Sequence, residues 1–112
     1  MRNDLEWLKD ILDAIQQIEK YVKFGKEKYI SDELIQTWMI HHLQIIGEAA
    51  NKISPTIQEK HSDVKWFQII GMRNFIIHEY FGVDLEEIWN TIVNDIPIFK
   101  KTILGMINDF NT

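Results

Sequence analysis

The chain has 112 residues, of which 46% are hydrophobic and 26% are charged. This is the length of one domain with one core, and the composition excludes a disordered chain. The net charge of −5 argues against a protein that holds long nucleic acid through phosphate contacts alone. The absence of cysteine excludes a disulfide framework, a cysteine-ligated metal site and a cysteine nucleophile.

We expect a single domain, residues 1–112, in the cytoplasm. The first residues, MRNDLEWLKD, are rich in charge and contain no apolar signal segment. No apolar run reaches the roughly 20 residues that a helix needs to span a bilayer, so no membrane association is expected. A chain without cysteine is compatible with a reducing compartment.

Apolar residues recur every three or four positions along most of the chain, which is typical of amphipathic α-helices. The first predicted helix begins after Asn3 and ends near Gly25. The second begins after Ser31 or Asp32 and runs to about Ile53. Small residues near the end of the second helix predict the close approach of a neighbouring helix: Gly47, Ala49 and Ala50.

Two further helices are predicted in the second half of the chain, after a short connector helix over residues 55–60 that begins with a proline. The first of them is capped by Ser62 or Asp63 and runs over residues 64–80. Its apolar residues lie on more than one side. This predicts a helix that is central in the bundle or shared with a second subunit.

The last predicted helix begins after Asp84, with Glu87 three residues on, and Pro97 bends or restarts it. Two prolines and five glycines are too few for the many turns of an all-β fold. The predicted fold class is therefore all-α, an antiparallel helical bundle of four main helices plus a short connector helix.

The segment Gly71–Tyr80 places polar and charged side chains among large apolar residues. The charge of Arg73 cannot be removed by deprotonation, so its side chain must reach a carboxylate or open onto a wet cleft. On a continuous helix, Asn74 and His78 would share a face within hydrogen-bonding reach. A long arginine side chain could then converge with His78 on one ligand near the helix end.

An arginine and a histidine in this arrangement suit phosphoryl transfer. Histidine exchanges a proton near neutral pH, and arginine binds phosphate oxygens with two parallel hydrogen bonds. In RNA the ribose 2′-hydroxyl can be the nucleophile, so the reaction needs neither a nucleophilic side chain nor a metal. The alternative is an arginine–carboxylate pair and a packed histidine that are both purely structural. Spacing alone does not separate the two interpretations.

The remaining histidines and the tryptophans give weaker signals. Adjacent residues on a helix point about 100° apart, so His41 and His42 are poorly placed to share a metal. No spacing of metal-ligand type supports them, and we expect neither a metal nor a cofactor. His61 lies in a polar connector and is expected to be solvated or to act as a cap. The tryptophans are expected to pack in the core or at an interface: Trp7, Trp38, Trp66 and Trp89.

The stretch GMRNFIIHEYFGVD resembles the signature of HEPN-domain proteins of the HepT toxin type. That signature has an arginine, an adjacent polar residue, a histidine after four to six intervening residues and a tyrosine two positions after the histidine. Arg73, Asn74, His78 and Tyr80 match it at every position. The resemblance extends upstream to IIGEAANKIS at residues 45–54 and covers essentially the whole chain.

The resemblance implies a metal-independent endoribonuclease that forms a symmetric dimer, with the motifs of both subunits lining one cleft. It implies that Arg73 holds the scissile phosphate, that His78 is the general acid and base, and that Asn74 orients His78 or the phosphate. It also implies a toxin whose antitoxin is a minimal nucleotidyltransferase. In this type the antitoxin can transfer AMP to the motif tyrosine, here Tyr80, and so block the cleft. Whether the RNA substrate is a tRNA or an mRNA stays open.

A second interpretation is a non-catalytic partner of a nucleotidyltransferase. Small helical proteins of this superfamily also serve as substrate-binding or scaffolding subunits, and the motif would then bind a nucleotide or the partner without turnover. A purely structural dimerisation bundle is the third interpretation. The presence of both Arg73 and His78 favours the enzyme, because a scaffold has less need of the pair.

Overall fold

The computed structural model describes residues 2–75 and 84–111. These residues form seven α-helices and no β-strand, which confirms the predicted all-α bundle. None of the described helices is both long and apolar enough to cross a membrane. The helices are α1 (Asp4–Val22), α2 (Lys26–Ser31), α3 (Glu33–Lys52), α4 (Pro55–Lys60), α5 (Trp66–Gly71), α6 (Leu85–Asn90) and α7 (Ile96–Phe110).

Side-chain caps begin four of the helices where the sequence predicts them. Asn3, Asp32 and Asp84 accept hydrogen bonds from backbone amides two or three residues on, at 3.0 to 3.3 Å. Ser54 does the same for α4 at 3.4 Å. Each cap supplies an acceptor for amides that have no partner within the helix, and such a cap typically contributes about 1 kcal/mol. The predicted starts of α1, α3, α4 and α6 are therefore confirmed.

The sequence pattern does not predict α2, because six residues are too few to show a helical period. Gly25 precedes α2 with a φ of +89°, a conformation that favours glycine, and ends α1 as predicted. On α2, the Tyr29 hydroxyl donates to the Leu85 carbonyl at 2.9 Å, and its ring stacks on Trp89 at 5.2 Å. Burial, with the nearby charge of Asp84, raises the pKa of Tyr29 to about 12. Tyr29 therefore keeps its proton and ties α2 to α6.

The centre of the bundle is an antiparallel pair, α1 and α3. The Trp38 indole on α3 donates to the carbonyl of Gln17 at 2.7 Å, and the Ser54 amide after α3 donates to the Asp4 carboxylate at 2.8 Å. The start of each helix is thereby held to the end of the other. α7 packs on α1, and α5 packs on α3. Most of the largest fully buried aliphatic side chains come from the predicted apolar stripes: Leu8, Ile11, Ile15, Ile18, Met39, Leu43, Ile46, Ile88 and Ile103. Met106 is equally buried but was not predicted as part of the stripe of the last helix.

α5 begins two residues later than predicted, at Trp66, and neither Ser62 nor Asp63 caps it. The Trp66 indole donates to the carbonyls of Gln58 and His61 at 3.1 and 3.0 Å. These two hydrogen bonds hold residues 61–65 in turns, so α5 starts only at Trp66.

The prediction of one continuous helix over residues 64–80 is also wrong in the part of this segment that the structure describes. α5 stops at Gly71, the chain tightens into a 3₁₀ turn at Met72–Asn74, and Phe75 is extended with φ −65° and ψ 123°. The Gln44 side-chain amide on α3 donates to the Phe75 carbonyl and holds this residue out of the helix. Residues 76–83 lie outside the described part of the chain.

A π-helical turn, Thr91–Asp95, joins α6 to α7. Pro97 has no backbone N–H, so it cannot donate a hydrogen bond to the preceding turn, and a π-turn is one way for a helix to accommodate that loss. α7 begins at Ile96 with Pro97 in its first turn. The sequence predicts that Pro97 bends or restarts the last helix, and the helix restarts at Ile96.

Candidate functional site

Arg73 and Asn74 lie in the 3₁₀ turn after α5, and both side chains are exposed. The sequence leaves two possibilities for Arg73, a carboxylate partner or an opening to water. In the described ranges the Arg73 guanidinium forms neither a hydrogen bond nor an ion pair. Its charge therefore faces solvent, where it can meet an anionic ligand.

The backbone of Arg73 lies directly against α3. A Cβ atom built on Gly47 would lie 2.4 Å from the Arg73 amide nitrogen and 2.9 Å from the Ile70 carbonyl oxygen. Both distances are too short for a side-chain atom beside backbone, so only glycine allows this contact. The close approach predicted from the small residues of α3 is thus confirmed at Gly47.

α3 contacts the 3₁₀ turn Met72–Asn74, here called the motif turn, and the residue after it at two points. Gly47 meets the backbone of Arg73, and the Gln44 amide bonds to the carbonyl of Phe75. Between them, Met72 is buried and anchors the start of the turn in the core. The exposed side chains of Arg73 and Asn74 are therefore carried on a backbone that α3 positions.

The other two motif residues, His78 and Tyr80, lie outside the described residues. The predicted shared face of Asn74 and His78 assumes one continuous helix, and α5 ends at Gly71, before Asn74. The roles of His78 and Tyr80 stay predictions.

An open groove of about 750 Å³ lies between α5 and the α6–α7 segment. Its lining includes Met72 and Phe75, which flank Arg73 and Asn74 in the chain. One part of the groove is apolar and strongly exposed: the solvent reaches 91% of Phe67 and 68% of Ile98. Large apolar side chains this exposed beside a groove are typical of a surface that binds another protein chain.

A smaller cleft of about 220 Å³ lies between α1 and α3 on the side of Gln44. The sequence does not predict this cleft, because its two sides come from segments more than 30 residues apart, and no local pattern indicates that they meet. The residues that line it are Trp7, Asp10, His41, Gln44, Ile45, Glu48 and Ala49.

The adjacent histidines of α3 have different surroundings. His41 is exposed, whereas His42 is buried and donates through Nδ1 to the Trp38 carbonyl at 2.7 Å. Burial lowers the pKa of His42 below 6.5, and the charges of His41 and Lys20 lower it further, against the opposing effect of the hydrogen bond.

Across residues 2–75 and 84–111, no three histidine, aspartate or glutamate side chains are placed to hold a metal ion.

The lowered pKa of His42 predicts a pH-dependent stability. As pH falls below 6.5, the unfolded chain binds a proton at this histidine that the folded protein resists, so the free energy of unfolding should decrease. Denaturant unfolding of wild type and His42→Gln between pH 7.5 and 5 measures this, and the variant should show the shallower slope. His41→Gln, at the exposed neighbour, should keep most of the wild-type slope. Equal slopes for wild type and His42→Gln would contradict the assignment.

The all-α bundle has the architecture of a HEPN-like helical domain. The Ribonuclease HepT-like family matches residues 11–105, and the chain belongs to this family.

Two relatives illustrate the similarity. The Thermococcus cleftensis protein named "Probable ribonuclease HepT" is 36% identical over 100 residues, which cover 88% of this chain and 91% of the relative. A protein of Caldanaerobacter subterraneus subsp. tengcongensis named "Putative RNase" is 36% identical over 104 residues, 92% of this chain and 93% of the relative. No solved structure matches the chain.

Proposed function

We propose that this protein is an endoribonuclease that cleaves RNA without a metal ion and uses the ribose 2′-hydroxyl as the nucleophile. The observation that carries the proposal is the exposed Arg73 on a turn that α3 positions, in a chain of the HepT-like ribonuclease family. The ribonuclease names of the relatives support the same reaction class. The RNA is a cytoplasmic tRNA or mRNA.

The proposed reaction is a transfer of the phosphodiester from one oxygen to another. His78 removes the proton of the 2′-hydroxyl, the 2′-oxygen bonds to phosphorus, and the bond from phosphorus to the 5′-oxygen breaks. His78, acting as the general acid, gives a proton to the leaving 5′-oxygen. The products carry a 2′,3′-cyclic phosphate and a 5′-hydroxyl. Arg73 stabilises the charge that develops on the phosphate oxygens, and Asn74 orients the phosphate or His78.

A substrate with one altered sugar tests this reaction. RNA with a single 2′-deoxynucleotide at the cleaved position should resist wild-type protein at that site, while the matched all-ribose RNA is cut. His78→Ala should cut neither. Cleavage at the 2′-deoxy position would exclude the 2′-hydroxyl as the nucleophile, and full activity of His78→Ala would remove this histidine from the mechanism.

We further propose that two copies of the chain associate through the groove of Phe67 and Ile98. The exposed apolar surface and its position beside Arg73 support this, since a two-fold pair would bring two motifs together. Two copies of Arg73 would also raise the local positive potential in a chain whose net charge is −5.

Phe67→Asp should therefore convert a dimer to a monomer in sedimentation analysis and reduce RNA cleavage. Leu34→Asp is the matched control, because Leu34 is 82% exposed and does not line the groove. It should leave the dimer intact. A wild-type monomer, or a Phe67→Asp protein that remains dimeric, would contradict the proposal.

The partner that we propose is a nucleotidyltransferase antitoxin that transfers AMP to Tyr80. An added nucleotide phosphate near Arg73 would compete with the RNA phosphate for the same charge. Incubation with this enzyme and ATP should add the mass of AMP to wild type but not to Tyr80→Phe, and modified wild type should lose RNA cleavage. Equal labelling of the two proteins would exclude Tyr80 as the acceptor.

A further inference from the structure

The cleft between α1 and α3 has no part in the reaction proposed above. Its apolar lining comes from Trp7, Ile45 and Ala49, and its polar lining comes from Asp10, His41, Gln44 and Glu48. A concave apolar surface with a few polar groups is the usual composition of a site for a small ligand or ring. The cleft is open on one side and, at about 220 Å³, has room for one nucleobase.

The cleft adjoins the motif turn through α3. Gln44 lines the cleft, and the same side chain donates to the Phe75 carbonyl at the end of the turn. Gly47, three residues further along α3, touches the backbone of Arg73. Three residues of helix rise only about 4.5 Å. The cleft and the turn that bears Arg73 therefore lie against neighbouring residues of α3.

The two carboxylates of the cleft differ in their partners. Asp10 forms an ion pair with Arg2 at 2.6 Å, and the Arg2 guanidinium lies 4.0 Å from the centre of the Trp7 ring. Glu48 is exposed and has neither a hydrogen bond nor an ion pair with any residue of the described ranges. Glu48 thus presents two acceptor oxygens at the edge of an apolar cleft, and it cannot donate.

We propose that this cleft binds the base of an unpaired guanine nucleotide next to the scissile phosphate, with the Glu48 carboxylate accepting hydrogen bonds from guanine N1–H and the N2 amino group. This inference rests on the proposed ribonuclease function. Guanine alone among the four RNA bases has two adjacent N–H donors on its Watson–Crick edge, which match the two oxygens of one carboxylate. That edge is free only in single-stranded RNA, which is the usual target of sequence-specific RNA recognition.

Replacement of guanine by inosine tests the inference, because inosine lacks only the N2 amino group. At one position beside the cleavage site, this replacement should lower the kcat/KM of wild type about tenfold, as expected for loss of one arm of a paired base contact. In Glu48→Gln and in Glu48→Ala, the ratio of kcat/KM for the guanine RNA to kcat/KM for the inosine RNA should fall to near one. Glu59→Gln is the matched control, since Glu59 is an exposed acid of α4 that lines neither the cleft nor the groove of Phe67 and Ile98. This variant should keep the tenfold ratio.

Two results overturn the inference while the proposed ribonuclease stands: equal cleavage of guanine and inosine RNA by wild type, or a tenfold ratio that survives in both Glu48 variants. If wild type cleaves no RNA, the proposed function fails instead, and the cleft is tested by calorimetry with GMP and IMP. Tighter binding of GMP by wild type but not by Glu48→Gln supports the guanine site. Equal affinities, or no binding of either, overturn it.

Discussion

Arg73→Ala is expected to reduce kcat/KM for RNA cleavage about 10³-fold, the loss usually seen when a preorganised donor to a developing oxyanion is removed. The side chain is exposed and forms neither a hydrogen bond nor an ion pair with the described residues. The loss should therefore come from the transition state and leave the folded structure unchanged. Initial rates on a defined single-stranded RNA measure the activity, and a thermal melt measures the fold.

Two variants sharpen this prediction. Arg73→Lys keeps the charge but loses the planar pair of donors, so its activity should lie between wild type and Arg73→Ala. Lys101→Ala removes a positive charge from an exposed position of α7 and should keep wild-type activity. If Arg73→Ala is as active as wild type, or if Lys101→Ala is equally impaired, Arg73 does not act on the phosphate.

Gly47→Ala is expected to lower cleavage about 10²-fold, because displacing a catalytic group by about 1 Å can cost that much. The new methyl group would lie 2.4 Å from the Arg73 amide nitrogen, so the motif turn must move away from α3. The same clash should destabilise the fold by about 1–2 kcal/mol, since overpacking outweighs the gain in helix propensity. Denaturant unfolding and RNA cleavage of the same preparation give both numbers.

Gly105→Ala is the matched control. A Cβ at Gly105, on α7, would meet no described atom within 4 Å. This substitution should stabilise the protein by about 0.5–1 kcal/mol through helix propensity alone and leave cleavage unchanged. A Gly47→Ala protein with wild-type stability and activity would show that the close contact between α3 and the motif turn is required neither for stability nor for RNA cleavage.

The helix starts and the core could be predicted because their signals are local. A capping side chain such as Asn3 or Asp84 bonds to amides two or three residues away, so the sequence next to it contains the whole interaction. The apolar stripes are likewise a property of each helix. Among the α-helices of the described residues, α2 is the one that the sequence pattern does not predict, because it is too short to show a period.

The end of α5 could not be predicted from local sequence, because contacts with distant residues set it. Residues 66–80 have the composition of one helix, yet the Gln44 amide, 31 residues earlier, bonds to the Phe75 carbonyl. The same limitation applies to the site. The motif identifies Arg73 and Asn74, but nothing near them in the sequence indicates that their backbone packs against Gly47, or that α1 and α3 form a cleft at Trp7 and Glu48.

The most direct test of the central claim is the cleavage of a mixed tRNA pool and an mRNA transcript by purified protein in excess EDTA, with His78→Ala beside it. We expect wild type alone to cleave, and we expect every new 3′ end to carry a 2′,3′-cyclic phosphate. Cleavage that EDTA abolishes, or products that end in a 3′-hydroxyl, would contradict a metal-free reaction through the 2′-hydroxyl. No cleavage by unmodified wild-type protein would contradict the assignment as a ribonuclease.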